Sequence, residues 1–90
     1  MQMYKIALSK QVTKFLKKHK DISKLFYKKI KYISNTPINN SFVDILPLQG
    51  LENHYRLRIW KYRFIYEIQK DKILIYFYHV DTRWDVYKNI

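Results

Sequence analysis

The chain contains no cysteine, only one glycine and only two prolines among its 90 residues. Without cysteine there is no disulfide, no thiol nucleophile and no thiolate metal site, and the expected setting is the cytoplasm. Acidic residues are also scarce: seven stand against 18 lysines and arginines, for a formal net charge of +11. Such an excess repels itself in a compact chain and points to a polyanionic partner, whether nucleic acid, an acidic protein or an anionic membrane surface. Long apolar runs are missing as well. The opening MQMYKIALSKQ has no signal-peptide core, and no run approaches the roughly 20 apolar residues that span a bilayer. No membrane role is expected. The three histidines, His19, His54 and His79, have no metal-ligand spacing, and there is no glycine-rich phosphate loop or nucleophile elbow. No metal or other cofactor is expected.

What is present is apolar and aromatic. Hydrophobic residues make up 48% of the chain and aromatics 18%, too much for disorder, and the length suits one domain over residues 1–90. YKIAL near the start has the composition of a short strand, and Ser9 is placed to cap a helix. Apolar residues then fall at helical spacing: Val12, Phe15, Leu16, and after a phase break at HKD, Ile22, Leu25, Phe26, Ile30 and Ile33. Two tightly joined helices are expected, the second capped by Asp21 and ended by Pro37, because proline disfavours helical geometry in the residue before it. Their lysines form a solvated outer face. FVDILPLQG is expected to be irregular or a short edge strand, since Pro47 excludes a central position, and Gly50 suits a turn with positive φ. HYRLRIW, YRFIYEIQ and KILIYFYHV are strands rich in β-branched and aromatic residues, with Lys70 and Asp71 as a hairpin loop.

Side chains alternate faces along a strand. A two-residue turn at Lys61 and Tyr62 would oppose Trp60 to Arg63, Arg58 to Ile65 and Arg56 to Glu67. Leu57, Ile59, Phe64, Tyr66, Ile68, Ile73, Ile75 and Phe77 then form an apolar face for the helices, and His79 falls on that side too. The opposite face carries Arg56, Arg58, Arg63, Trp60, Glu67, Leu74, Tyr76 and Tyr78. Arginine with aromatic residues is the combination that clamps phosphate and stacks bases. The plain alternative for Arg56 and Glu67 is a cross-strand ion pair worth roughly 0.2–1 kcal/mol, and for Tyr76 and Tyr78 a cover over the sheet.

The order of elements, together with LPLQGLENHYRLRIWKYRFIYEI and VDTRWDVYK, resembles the RelE/ParE superfamily of type II toxin–antitoxin toxins across essentially the whole chain. Within it the sequence is more similar to the RelE branch, whose members cleave mRNA in the ribosomal A site, than to the gyrase-poisoning ParE branch. The resemblance implies an α+β fold: an N-terminal strand, a two-helix hairpin, then an antiparallel β-sheet packed on the helices. It implies catalytic roles for Arg56 and Arg58 in YRLR, Arg63 in KYRFIY, and Arg83 and Tyr87 in TRWDVY. Strand parity alone already groups three of these five.

The implied reaction needs no metal. The ribose 2′-OH attacks the adjacent phosphate and leaves a cyclic phosphate and a 5′-OH. Arg56, Arg58, Arg63 and Arg83 would hold the phosphate and its developing charge, and Tyr87 would orient or deprotonate the 2′-OH. Trp60, Lys61, Tyr76, Tyr78 and Trp84 are the expected RNA contacts. Relatives carry lysine at the positions of Arg56 and Arg58, and arginine does not serve as a base, so Tyr87, Glu67 or His79 must. Trp84 stands where many relatives have a small residue. The implied partners are mRNA, the ribosomal A site and an acidic antitoxin held in a hetero-oligomer. Two alternatives are gyrase inhibition and a non-cleaving module that binds RNA or antitoxin.

Overall fold

The structure is a computed structural model that describes residues 3–38 and 41–82. Its elements run β1 (Lys5–Leu8), α1 (Lys10–Lys18), α2 (Lys20–Asn35), β2 (Asp44–Pro47), β3 (His54–Ile59), β4 (Tyr62–Gln69) and β5 (Leu74–Thr82). The five strands form one sheet in the order β1-β5-β4-β3-β2. Neighbours are antiparallel except β1, which lies parallel to β5. The expected α+β architecture is the one observed.

Local sequence explains the boundaries. Ser9 caps α1, its Oγ accepting from the Val12 N–H at 3.2 Å, which satisfies one of the donors a helix start leaves open. The second cap differs from expectation. His19 takes that position without a side-chain hydrogen bond, and Asp21 sits in the first turn, where a carboxylate still meets the positive end of the helix. Helix α2 ends at Asn35, just ahead of Pro37. Gly50 has φ +79, as expected for the turn between β2 and β3. The β4–β5 loop runs from Lys70 through Ile73, two residues longer than expected, so Ile73 leaves the strand and takes φ 52.

Both helices cover one face of the sheet. Val12, Leu16, Ile22, Phe26 and Ile33 from the helices meet Leu57, Ile59, Phe64, Tyr66, Ile68, Ile75 and Phe77 from the strands in one cluster, each of these residues at most 3% exposed. Phe26 joins the layers, with ring centroids 4.8 Å from Phe64 and 5.0 Å from Phe77. Among the described residues no helix is long and apolar enough to cross a membrane.

Among the described residues Tyr66 is the one core tyrosine with no exposure, and its hydroxyl donates to the Pro37 carbonyl at 2.8 Å. This bond ties β4 to the segment after α2. Burial, then the neighbouring Tyr55, raises the Tyr66 pKa well above the usual tyrosine value. The folded state therefore keeps its proton at a pH where the unfolded chain has lost it. The stability this confers is complete below about pH 10 and falls as pH rises beyond, by up to about 1.4 kcal/mol per pH unit. Tyr66→Phe is expected to cost about 1 kcal/mol at neutral pH, from the lost bond and the orphaned carbonyl. The same variant should blunt the alkaline loss; urea unfolding at pH 7 and above pH 10 checks both.

Candidate active site on the open face of the sheet

The sheet face turned away from the helices carries the expected arginines, in a different register. Arg58 lies opposite Arg63 and Arg56 opposite Ile65, while Glu67 faces His54. The turn consists of Trp60 and Lys61, not Lys61 and Tyr62. The pairing has slipped by two residues, and an even slip keeps every side chain on its face. Arg56, Arg58 and Arg63 therefore remain together, but Arg56 no longer faces Glu67, and the alternative of an Arg56–Glu67 ion pair is not the one observed. Glu67 instead lies 4.0 Å from His54 and accepts from Gln69 at 3.0 Å.

Two aspartates hold the guanidinium groups. Asp44, from edge strand β2, accepts from Arg56 at 3.2 Å and from Arg58 Nε at 2.8 Å. Asp81, on β5, takes both Nε and Nη2 of Arg63 at 3.1 Å each, a two-pronged pair. Such pairs fix the planar fork of arginine in the geometry it uses for a phosphate. Three guanidinium charges against two carboxylates leave the cluster one positive charge, and Arg56, with 11% of its side chain exposed, is the most enclosed of the three.

His79 joins this cluster, contrary to its expected place on the core side. Strand β5 carries a bulge: Ile65 pairs with His79 but Tyr66 pairs with Phe77, so Tyr78 is an extra residue. A bulge reverses the alternation beyond it, and His79 turns to solvent while Val80 enters the core. Helix α1 holds the bulge in place. The Ser9 hydroxyl donates to the Tyr78 carbonyl at 3.2 Å. Gln11 donates from Nε2 to the Val80 carbonyl at 2.8 Å and accepts from its N–H at 3.1 Å.

The His79 Nε2 lies 3.0 Å from Asp81 Oδ2, the same oxygen that receives Arg63. An ionised carboxylate only accepts, so Nε2 carries a proton, and the basic nitrogen of the neutral imidazole is Nδ1. Imidazole and guanidinium thus converge on one carboxylate, an arrangement able to move a proton beside a stabilised negative charge.

The aromatic residues divide into two groups. Tyr76 and Tyr78 share the open face, their rings 6.2 Å apart, and Tyr78 meets His54 edge-on at 5.8 Å. Burial and then the Glu67 carboxylate raise the Tyr78 pKa, so this phenol stays protonated and serves as a donor or a stacking surface. Trp60 and Lys61 lie in the hairpin turn beside a cleft on the helix side, not on the arginine face where alternation places Trp60. Arg83, Trp84 and Tyr87 lie outside the described residues. Among the described residues no group of three or more histidine and carboxylate side chains is placed to hold a metal ion.

Comparison with known proteins adds an independent line. A family model described as the ParE toxin of the type II toxin–antitoxin system, parDE, matches residues 6–87. The archaeal RelE–RelB complex of Pyrococcus horikoshii contains a chain 25% identical, with a TM-score of 0.78 over 91% of this chain and 97% of that one. The RelB–RelE antitoxin–toxin complex of Methanococcus jannaschii gives 26% identity and a TM-score of 0.69 over 93% and 98%. The E. coli DinJ–YafQ complex gives 27% identity and a TM-score of 0.62, also over 93% and 98%. No curated protein matches by sequence.

Proposed function

Because the chain belongs to the ParE toxin family of type II toxin–antitoxin systems, we propose that its open sheet face cleaves mRNA on the ribosome. The observation that carries this reading is the convergence of Arg63 and His79 on Asp81, next to Arg56 and Arg58 on Asp44. A backbone phosphate entering the face takes over the arginine forks from the aspartates and receives their charge. His79 removes the proton from the ribose 2′-OH through Nδ1 as that oxygen attacks phosphorus. The bond to the 5′ oxygen breaks, and the products are a 2′,3′-cyclic phosphate and a 5′-OH. Preorganised guanidinium donors stabilise the charge that develops on the phosphoryl oxygens. In this reading Arg83 adds to the charge that holds the phosphate, and Tyr87 acts on the 2′-OH or gives the leaving 5′ oxygen its proton. Tyr76 and Tyr78 stack a base of the bound message.

The partners that accompany this reading are the ribosomal A site, reached by an excess of positive charge, and an acidic antitoxin that neutralises the toxin, as the relatives in RelE–RelB and DinJ–YafQ complexes suggest. A defined test is the chemistry of the cut ends. Message incubated with programmed ribosomes and the purified toxin should yield 5′ ends that polynucleotide kinase labels without prior phosphatase treatment. Ends that need phosphatase first would contradict 2′-OH attack.

His79→Gln keeps a polar group beside Asp81 but supplies no base of useful strength. Cleavage on programmed ribosomes should fall about 10²–10⁴-fold. A variant that cleaves at the wild-type rate would assign the proton transfer to another group, with Tyr87 the first to test.

A second reading, inhibition of DNA gyrase without RNA cleavage, follows from the ParE branch that the sequence also resembles. The pairing of each arginine with an aspartate fits it, since a purely structural pair needs no phosphate. Growth arrest with intact message and a DNA damage response would select this reading.

A further inference from the structure

A second basic surface lies apart from the arginine face. A cleft of about 650 Å³ opens between the α1–α2 junction and the β3–β4 turn, lined by Lys18, Lys20, Lys61, His19, Trp60 and Tyr62. Asp21 also reaches it, so three ammonium groups against one carboxylate leave two positive charges. The floor is a fixed aromatic assembly. His19 stacks on Phe15 at 4.0 Å with the rings 16° apart, and Tyr62 meets Phe15 edge-on at 4.8 Å. Trp60 differs from that floor. It is 66% exposed and held at φ 56, a conformation that bulky residues rarely adopt. A large aromatic kept in solvent on a strained turn is the kind of outlier from which function is inferred.

We infer that this cleft holds an unpaired nucleotide of the RNA strand, its base stacked on Trp60 and its phosphate met by Lys18, Lys20 and Lys61. The inference rests on the RNA reading above and adds a second binding site to it, distinct from the nucleotide at the arginines. Cations that follow a backbone, combined with an aromatic platform for a base, are the sequence-independent means of holding single strands. Position supports the assignment. Arg58 and Arg63 face each other across the hairpin, and the Trp60–Lys61 turn begins two residues beyond Arg58. At about 3.3 Å per strand residue, one RNA segment reaches from the arginine face round the hairpin end into the cleft. An acidic peptide would meet the lysines but has no need of the flat platform.

Trp60 is one of two tryptophans, so in a Trp84→Phe background its emission reports on the cleft alone. The probe is a short unstructured RNA oligonucleotide, end-labelled for anisotropy and unlabelled for tryptophan emission, titrated at several salt concentrations. Trp60 emission should be quenched with the same midpoint as the anisotropy change. Replacing Lys18, Lys20 and Lys61 together with alanine should lower the slope of log affinity against log salt by about 0.7, the share of one single-strand phosphate. Trp60→Gly relaxes the turn and should retain the melting temperature, yet weaken RNA binding about tenfold or more. Arg63→Ala should remove cleavage while the quench persists. RNA bound with Trp60 emission unchanged and the salt slope intact in the lysine variant would overturn the cleft and leave the arginine face standing. Quenching by polyglutamate but not by RNA would overturn it in favour of an acidic protein. No RNA binding in either readout would overturn this inference and the reading beneath it together.

Discussion

Arg63→Ala is expected to reduce message cleavage at least 100-fold and to relieve growth arrest, with the domain still folded. Arg63 stands at the centre of the cluster: it takes both oxygens of Asp81 and shares one of them with His79. Its removal takes away two charge-assisted donors aimed at one place and loosens the carboxylate that orients the imidazole. Loss of a single preorganised donor to a developing oxyanion costs about 10²–10³ in rate, and here donor and orientation fail together. Stability should suffer little. The Arg63 and Asp81 side chains are 26% and 24% exposed, so water replaces the pair at a cost of about 1 kcal/mol or less. Circular dichroism and thermal melting establish the fold, and cleavage on programmed ribosomes gives the rate. Wild-type cleavage by this variant would remove Arg63 from the chemistry.

Phe26→Ala should have the largest effect on stability, about 3–5 kcal/mol. The ring is fully buried and bridges α2 to Phe64 and Phe77 on the two central strands. Its loss opens a cavity where the helical layer meets the sheet, which neither layer can fill without moving as a whole. A 90-residue domain has about 5–15 kcal/mol in total, and this one also carries the self-repulsion of +11 charges. The variant should lose most of its denaturant resistance, and higher salt should restore part of it by screening that repulsion. An unfolding free energy from urea within about 1 kcal/mol of wild type would show that α2 is not held chiefly through Phe26.

The fold was legible because its signals are periodic and few breaks interrupt them. Helical spacing from Val12 to Ile33 and alternation in three strands settle which faces are apolar, and even a wrong turn at Lys61 and Tyr62 left the arginines on the correct side, because the error was two residues. What stayed hidden depends on single irregularities. The bulge at Tyr78 moves His79 from the expected core side into the site, and nothing in KILIYFYHV marks it: the residues that hold it, Ser9 and Gln11, lie 69 residues away in the chain. Asp44 was concealed in a segment expected to be irregular or a short edge strand, and Asp81 near a strand end. Only seven acidic residues exist in the chain, so asking where each can find a cation would have drawn attention to both. Trp60 was misplaced because a tryptophan at positive φ contradicts its local preference, and tertiary structure overrides that preference without a sequence signal.

Central to the account is that cutting occurs on translated message. Brief induction of the chain in cells, followed by primer extension on a translated message and on a copy lacking its start site, tests this most directly. New 5′ ends at codon positions in the translated copy alone are the predicted result. Growth arrest with both copies intact would contradict it.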